Sequence, residues 1–352
     1  MILYEAASTK FTDATGIAHP CELMSHSTEP DVSRRSVMDI FADVFREQHD
    51  LLLNAVVRAA HQLGVFHLFS KKDPSEPYTA AEVASHLGIP RRRLERVLDV
   101  LAAERFLSRS TGRGPACFRL LSVPHRQGAS AGDWDRIADV VSSDRPLELK
   151  PEWLEGHLAY VAEKGEVAAP RLWKELQPEP GGKLLDIGGG LGAYSSAYLN
   201  HHPRNSATLV DLSTVIGLFE KTAAASHPRL DTRTCDARVL PFEREYDVVL
   251  VANLLHLFGP DDCRRIVQSA ANAATTCGTM VIKDVLIWPQ RTGPLVGLYF
   301  ALNMMLYTEA GDVHSIPKLS GWMRNAGLTT VDVVESSELA ASAVVVGTRN
   351  RG

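Results

Sequence analysis

Residues 184–194 read LLDIGGGLGAY: an apolar run closes on Asp186, and Gly188, Gly190 and Gly192 follow in a D-x-G-x-G-x-G spacing. Glycines between a strand and a helix let a ligand approach bare main chain, with the helix's unpaired N–H groups beyond it. Two ligand chemistries meet that description. Gly188, Gly190 and Ala193 also satisfy G-x-G-x-x-A, so a pyrophosphate is not excluded by the loop alone, although that pattern discriminates weakly.

The acidic residues shift the weight. A carboxylate at Asp186 suits a ligand with a positively charged tail and opposes a pyrophosphate. Asp211 ends the second strand candidate, LVDL, where it can accept both hydroxyls of a ribose. Asp236 closes the third, where it can accept from an adenine amino group. Carboxylates at three strand ends, without a phosphate-binding cation, describe S-adenosylmethionine, a nucleoside with a sulfonium and an ammonium. S-adenosylhomocysteine would be its spent form. Leu212, Ala237 and Asn253, at or just past the same strand ends, complete the expected cofactor set.

These residues need a scaffold, and the pattern from Lys183 onward supplies one. KLLDIGG, SATLVDL, YDVVLVANLL and TMVIKDVLI read as strands, with helical segments such as PDDCRRIVQSAANAA between them. That rhythm predicts an α/β, doubly wound, Rossmann-like sheet. The closing runs TTVDVVES and SAVVVGT are joined by a few residues, which suits an antiparallel hairpin. Such a hairpin distinguishes methyltransferase sheets from dehydrogenase ones.

The front half is organised differently. Residues 1–34 lack periodicity and read as a flexible arm. From Ser36 the spacing of Val44, Leu51, Leu52, Ala55, Val56 and Ala59 is helical, ending at Gly64. Thr79 and Glu82 make a capping box, Gly88 stops that helix, and Pro90 opens a second with Leu94, Val97, Leu98 and Leu101 on one face. Two helices on a tight turn, then Gly112, Gly114 and Pro115 between strand-like runs, form a winged-helix pattern, otherwise all-helical, over residues 35–128. Its arginines, Arg91, Arg92, Arg93 and Arg96, allow two readings: a DNA-facing surface, or a solvated face on a scaffold or dimer module. A helical connector, 129–175, leads to the cofactor-binding domain, 176–352.

The net charge of −5 disfavours a nucleic-acid partner. Five cysteines without a C-x-x-C pair argue against disulfide or zinc frameworks and favour a reducing cytoplasm. No apolar run reaches membrane-spanning length, and the N-terminus lacks a signal-peptide pattern.

On LLDIGGGLG, LVDL, the CDA segment, NLLHLFGPDDC and the C-terminal NAGL, residues 36–350 resemble the small-molecule O-methyltransferases of the plant caffeate type and their bacterial natural-product relatives. The resemblance implies a homodimer built through the winged-helix domain and a small aromatic or polyketide-like methyl acceptor. It implies that His256, past the fourth strand, is the general base, oriented by Asp284 in VIKDVLI where the family has glutamate. The family's second orienting glutamate aligns with Val313, leaving Asp312 or His314 as substitutes; its lysine near the adenine aligns with Ala252, and its aspartate after the base with Leu257. Phe300, Asn303, Met304 and Tyr307 share about one helical face that the family turns to the acceptor, with His314 and Trp153 as further candidates. His256, Asp284 and His314 have no recognised ligand spacing, so no metal is expected. Three alternatives stay open: carbon or nitrogen methylation by positioning, a cyclase or rearrangement enzyme that keeps the methyl, and a ligand-sensing regulator on DNA.

Overall fold

The computed structural model describes residues 37–73, 76–110, 114–124, 129–239, 243–337 and 341–349. The expected arm, 1–34, and the wing tip at Gly112 lie outside them. Among the described residues, no helix is long and apolar enough to cross a membrane.

α1 (Val37–Gln62) buries Leu52, Ala55, Val56 and Ala59 on the stripe read from the sequence, and α2 (Val65–Ser70) follows Gly64. β1 (Tyr78–Thr79) runs into α3 (Ala80–Leu87) through the capping box. The Thr79 hydroxyl accepts from the Glu82 N–H at 3.2 Å, and the Glu82 carboxylate accepts from the Thr79 N–H at 2.7 Å. α4 (Arg91–Ala103) buries Leu94, Val97, Leu98 and Leu101 completely. β3 (Cys117–Leu120) pairs antiparallel with both β1 and β2 (Leu107–Arg109), in the order β1-β3-β2. The wing therefore contributes a small sheet to an otherwise helical front unit. A 3₁₀ turn (Gly132–Arg136), α5 (Ile137–Ser143) and the long α6 (Pro151–Leu176) form the connector, whose Trp134 and Trp173 are core residues.

The second unit alternates β4 (Lys183–Ile187), α7 (Ala193–His201), β5 (Ser206–Asp211), α8 (Ser213–Phe219), β6 (Leu230–Thr234), β7 (Tyr246–Ala252), α9 (Pro260–Ala273) and β8 (Ala274–Val285). α10 (Leu295–Tyr307), α11 (Ile316–Asn325), β9 (Thr330–Ser337) and β10 (Ser342–Thr348) complete it. The seven-stranded sheet runs β6-β5-β4-β7-β8-β10-β9. Strands β4 to β8 are parallel, and β9 and β10 form the expected antiparallel hairpin. One face packs under α6 and α7 through Trp173, Tyr198 and Leu209; the other packs under α9 and α11 through Ile266, Val267 and Met323.

Two features cross the boundary expected near residue 176. α10 is apolar nearly all round, so one neighbour cannot cover it. Its Tyr299, Leu302 and Leu306 pack in the front core with Val56, Leu98 and Trp134. Secondly, of the α4 arginines, Arg91 and Arg92 are exposed but Arg93 and Arg96 turn inward. Arg93 is 1% exposed and donates to Asp144 and to the carbonyls of Met305, Thr308 and Glu309. Arg96 donates to Asp312, which also accepts from Arg291, and Arg291 reaches Asp99 of α4 at 2.6 Å. Burial pushes the Asp312 carboxyl up, but Arg96 and Arg291 outweigh it and leave it below the usual carboxylate range. A charged helix face turned inward needs such partners, and the DNA-facing reading loses Arg93 and Arg96.

Candidate active site

β4 delivers the chain to the glycine loop at the C-terminal rim of the sheet. Gly188 and Gly192 adopt φ of 72° and 80°, and a Cβ there would stand 2.7 Å from Leu254 and 2.7 Å from Phe219. Side chains at these positions are barred by both strain and space. Asp186 lies beneath the loop, 1% exposed, accepting from the Ser195 hydroxyl at 2.7 Å. Burial pushes its carboxyl up to about 6; Ser195 opposes this and Asp211 adds to it.

Asp211 braces the loop from β5. Its oxygens accept from the N–H groups of Gly190 at 2.9 Å and Leu212 at 2.8 Å, and the residue stays half-buried. The Leu212 side chain is 50% exposed beside it, an apolar surface with no protein cover. The Cys235 N–H donates to the Asp211 carbonyl at 2.9 Å, so the ends of β5 and β6 are tied together. Asp236 and Ala237 follow, half-buried. Arg238 grips the Asp236 carboxylate through Nε at 3.0 and 3.1 Å and holds it below its usual range. Asn253, at φ 52°, turns the chain out of β7 into a short 3₁₀ turn, Leu255–Leu257, and its N–H donates to the Lys283 carbonyl at 2.7 Å.

That turn carries His256. Its Nδ1 lies 2.6 Å from Asp284 Oδ1, its backbone N–H donates to Asp284 Oδ2 at 3.3 Å, and the ring is 8% exposed. Burial pushes the Asp284 carboxyl up, and the His256 charge and hydrogen bond bring it below the ordinary value. A carboxylate on Nδ1 places the ring proton there and leaves Nε2 as the basic nitrogen. Aspartate suffices because the turn sits directly on β8.

Neither expected substitute for the second orienter serves. Asp312 is committed to the arginines. His314 is 2% exposed: its Nε2 lies 3.4 Å from the Cys263 thiol and its Nδ1 accepts from Lys318 at 3.4 Å. Cys263 in turn donates to the Leu255 carbonyl at 3.2 Å. His314 thus packs behind the histidine turn, against Cys263, Lys318 and Trp322. Val313 is buried.

Along α10, Phe300, Asn303 and Tyr307 form the partly exposed stripe, while Met304 is 6% exposed. Phe300 meets the His256 ring edge-on at 5.0 Å, and the Tyr307 hydroxyl donates to Asp133 at 3.0 Å. Asn303 Oδ1 is buried without a donor, the mark of an amide that awaits one. On α6, Trp153 is partly exposed with the Lys150 ammonium 5.3 Å from its ring.

Two residues escaped the sequence reading. His157, on the same helix, is exposed, and desolvation and then the nearby His256 charge lower its pKa. Helical spacing from Trp153 is the signal that could have found it. Lys283 interrupts an apolar central strand, which is itself the signal. A groove of about 670 Å³ between α6 and α7 passes Leu191 and Thr222 but does not include His256. Among the described residues, no group of three or more His, Cys, Asp or Glu is placed to hold a metal.

The family comparisons agree with this geometry. An O-methyltransferase domain matches residues 157–329, and an O-methyltransferase dimerisation domain matches residues 48–123. A 3-hydroxy-5-methyl-1-naphthoate 3-O-methyltransferase from Streptomyces sahachiroi is 27% identical over 316 residues, 83% of this chain and 90% of that protein. An L-tyrosine C(3)-methyltransferase from Streptomyces lavendulae is 26% identical over 48% of this chain and 47% of its own. The crystal structure of an O-methyltransferase family 2 protein from Planctomyces limnophilus, in complex with apigenin, superposes with a TM-score of 0.70 at 22% identity, covering 90% of this chain and 97% of that one. Catalytic module, dimerisation module and sheet topology point one way: the chain belongs to the S-adenosylmethionine-dependent O-methyltransferase family and is a methyltransferase.

Proposed function

We propose that this enzyme methylates a hydroxyl of an aromatic, polyketide-like metabolite, with His256 as general base and Asp284 as its orienter. The observation that carries the reading is the buried His256–Asp284 pair, 2.6 Å apart, against the half-exposed stripe of α10. The naphthoate O-methyltransferase relative supports the acceptor class. We also infer a homodimer through the front module, and a reducing cytoplasm, since Cys117, Cys235, Cys263 and Cys277 are all free thiols.

The residues at the rim fit S-adenosylmethionine. At Gly190, where a Cβ would meet only Leu158 at 3.7 Å, the loop leaves main chain open to a ligand, Asp211 has lone pairs left for a diol, and Leu212 offers apolar surface to a base. Asp236 reaches an adenine amino group once Arg238, half exposed, yields to it. When bound, the cofactor supplies an electrophilic methyl on sulfur. The chain's part is alignment and proton removal: Phe300 and Asn303 hold the acceptor, and Nε2 of His256 takes its hydroxyl proton. Asp284 then stabilises the imidazolium.

Supplied with S-adenosylmethionine and a hydroxynaphthoate, the enzyme should form S-adenosylhomocysteine in step with a methoxy product resolved by NMR. A new methyl on ring carbon instead would shift the reading to methylation by positioning, which the tyrosine C-methyltransferase relative favours. Product without S-adenosylhomocysteine would overturn methyl transfer.

Asp186 gives this site a pH dependence. A carboxyl raised to about 6 in the free protein is ionised more readily beside a bound ammonium. Binding therefore releases a proton, and affinity for S-adenosylhomocysteine should rise as pH climbs through about 6 and level off above it. Calorimetry across that range checks this; a flat profile would separate Asp186 from the cofactor's tail.

A further inference from the structure

Lys283 lies next to Asp284 on β8, so the two side chains leave opposite faces of the sheet. Its parallel neighbour is Ala252 and its antiparallel neighbour Val344, both in the apolar layer under α6 and α7. The residue is 7% exposed, and among the described residues its buried Nζ finds no hydrogen-bond partner. A dry, unpaired ammonium is among the most costly groups a fold can carry. The sequence nevertheless keeps one in a central strand, beside the small side chain of Ala252.

The position is at the rim. The Lys283 carbonyl accepts from Asn253, the residue that leads into the histidine turn. α6 extends beyond the strands over the glycine loop, where Leu158 stands 3.7 Å from the position of a Cβ on Gly190. On the same sheet face, Leu184 and Asp186 alternate with residues of the opposite layer, so the Asp186 carboxylate shares this face with Lys283. Only β7 separates their strands, which sets them roughly 10 Å apart laterally. One negative and one positive group thus flank the strip past Gly188 and Ala252.

We propose that the Lys283 ammonium is the seat of a carboxylate belonging to a ligand in the methyl-transfer site. A single cation in an apolar layer matches a monoanion better than a phosphate dianion. Two sources fit: the amino-acid tail of the cofactor, whose ammonium would then lie toward Asp186, or an acidic substituent on the acceptor. The proposal rests on the site described under Proposed function.

The test is calorimetry on the wild type, Lys283→Met and Lys283→Arg. S-adenosylhomocysteine is compared with 5′-methylthioadenosine, which lacks the amino-acid tail. With S-adenosylhomocysteine bound, 3-hydroxy-2-naphthoate is compared with 2-naphthol. Lys283→Met should weaken one carboxylate ligand by about tenfold or more and spare its uncharged partner, while Lys283→Arg retains most of the affinity. Loss confined to S-adenosylhomocysteine assigns the seat to the cofactor; loss confined to the naphthoate assigns it to the acceptor. Lys283→Met should also melt above the wild type, because the free protein no longer buries an unpaired charge. Affinities all unchanged, or a lower melting temperature, would overturn the seat. Failure of the wild type to bind S-adenosylhomocysteine would instead remove the whole site, and the seat with it.

Discussion

His256→Ala lowers kcat by about 100- to 10,000-fold and leaves S-adenosylhomocysteine affinity within about twofold of the wild type. The size follows from what is lost. A phenol must shed its proton as the carbon–oxygen bond forms, and Nε2 is the basic nitrogen that the Asp284 contact leaves free. The cofactor cradle is built from other elements: the loop after β4 and the ends of β5 and β6. Its integrity does not depend on the imidazole. The split between turnover and binding is therefore the diagnostic, measured by steady-state kinetics alongside calorimetry. Wild-type turnover in the variant would eliminate the base role and favour positioning alone. Loss of cofactor affinity would show that the turn at 255–257 holds the cradle together.

Asp312→Asn destabilises the protein by about 3–5 kcal/mol, the usual penalty for removing one partner of a buried charge cluster. Arg96 and Arg291 are 16% and 18% exposed and both direct guanidinium groups at this carboxylate. An amide of the same shape cannot neutralise them. Asp312 lies below its ordinary pKa when folded, so its contribution is fully present above about pH 4 and is lost as pH falls through the lowered value. Denaturant melts at neutral pH, compared with Arg92→Ala, provide the check. Arg92 pairs with Asp144 at 3.0 Å in a geometry open to solvent, 44% and 39% exposed, and its loss costs at most about 1 kcal/mol. Equal effects of the two substitutions would mean that the cluster does not fasten the units together.

The parts of the molecule visible in the sequence are those set by short-range rules. The capping box at Thr79 and Glu82, the glycine loop after KLLDI, and the terminal hairpin each depend on neighbours within a few residues. The His256–Asp284 pairing was legible only through family resemblance, since the two are 28 positions apart. What stayed hidden depends on distant meetings. Nothing near Arg93 or Arg96 indicates that segments around residues 305–312 fold over them. Asp312 reads as a neighbour of the active site and is spent on Arg96 of the front unit and on Arg291 of its own unit. His157 and Lys283 carry no local motif; each gains meaning only when α6 arches over the rim of the sheet.

α10 has a consequence for how this enzyme can change its preferences. The helix whose Phe300, Asn303 and Tyr307 we propose face the acceptor is also a pillar of the neighbouring unit, through Tyr299, Leu302 and Leu306. Selectivity and architecture are written on neighbouring positions of the same turns of one rod. Directed evolution toward bulkier or smaller aromatics is constrained there, because Phe300 and Tyr307 also pack against that core, and of the three only Asn303 stands apart from it.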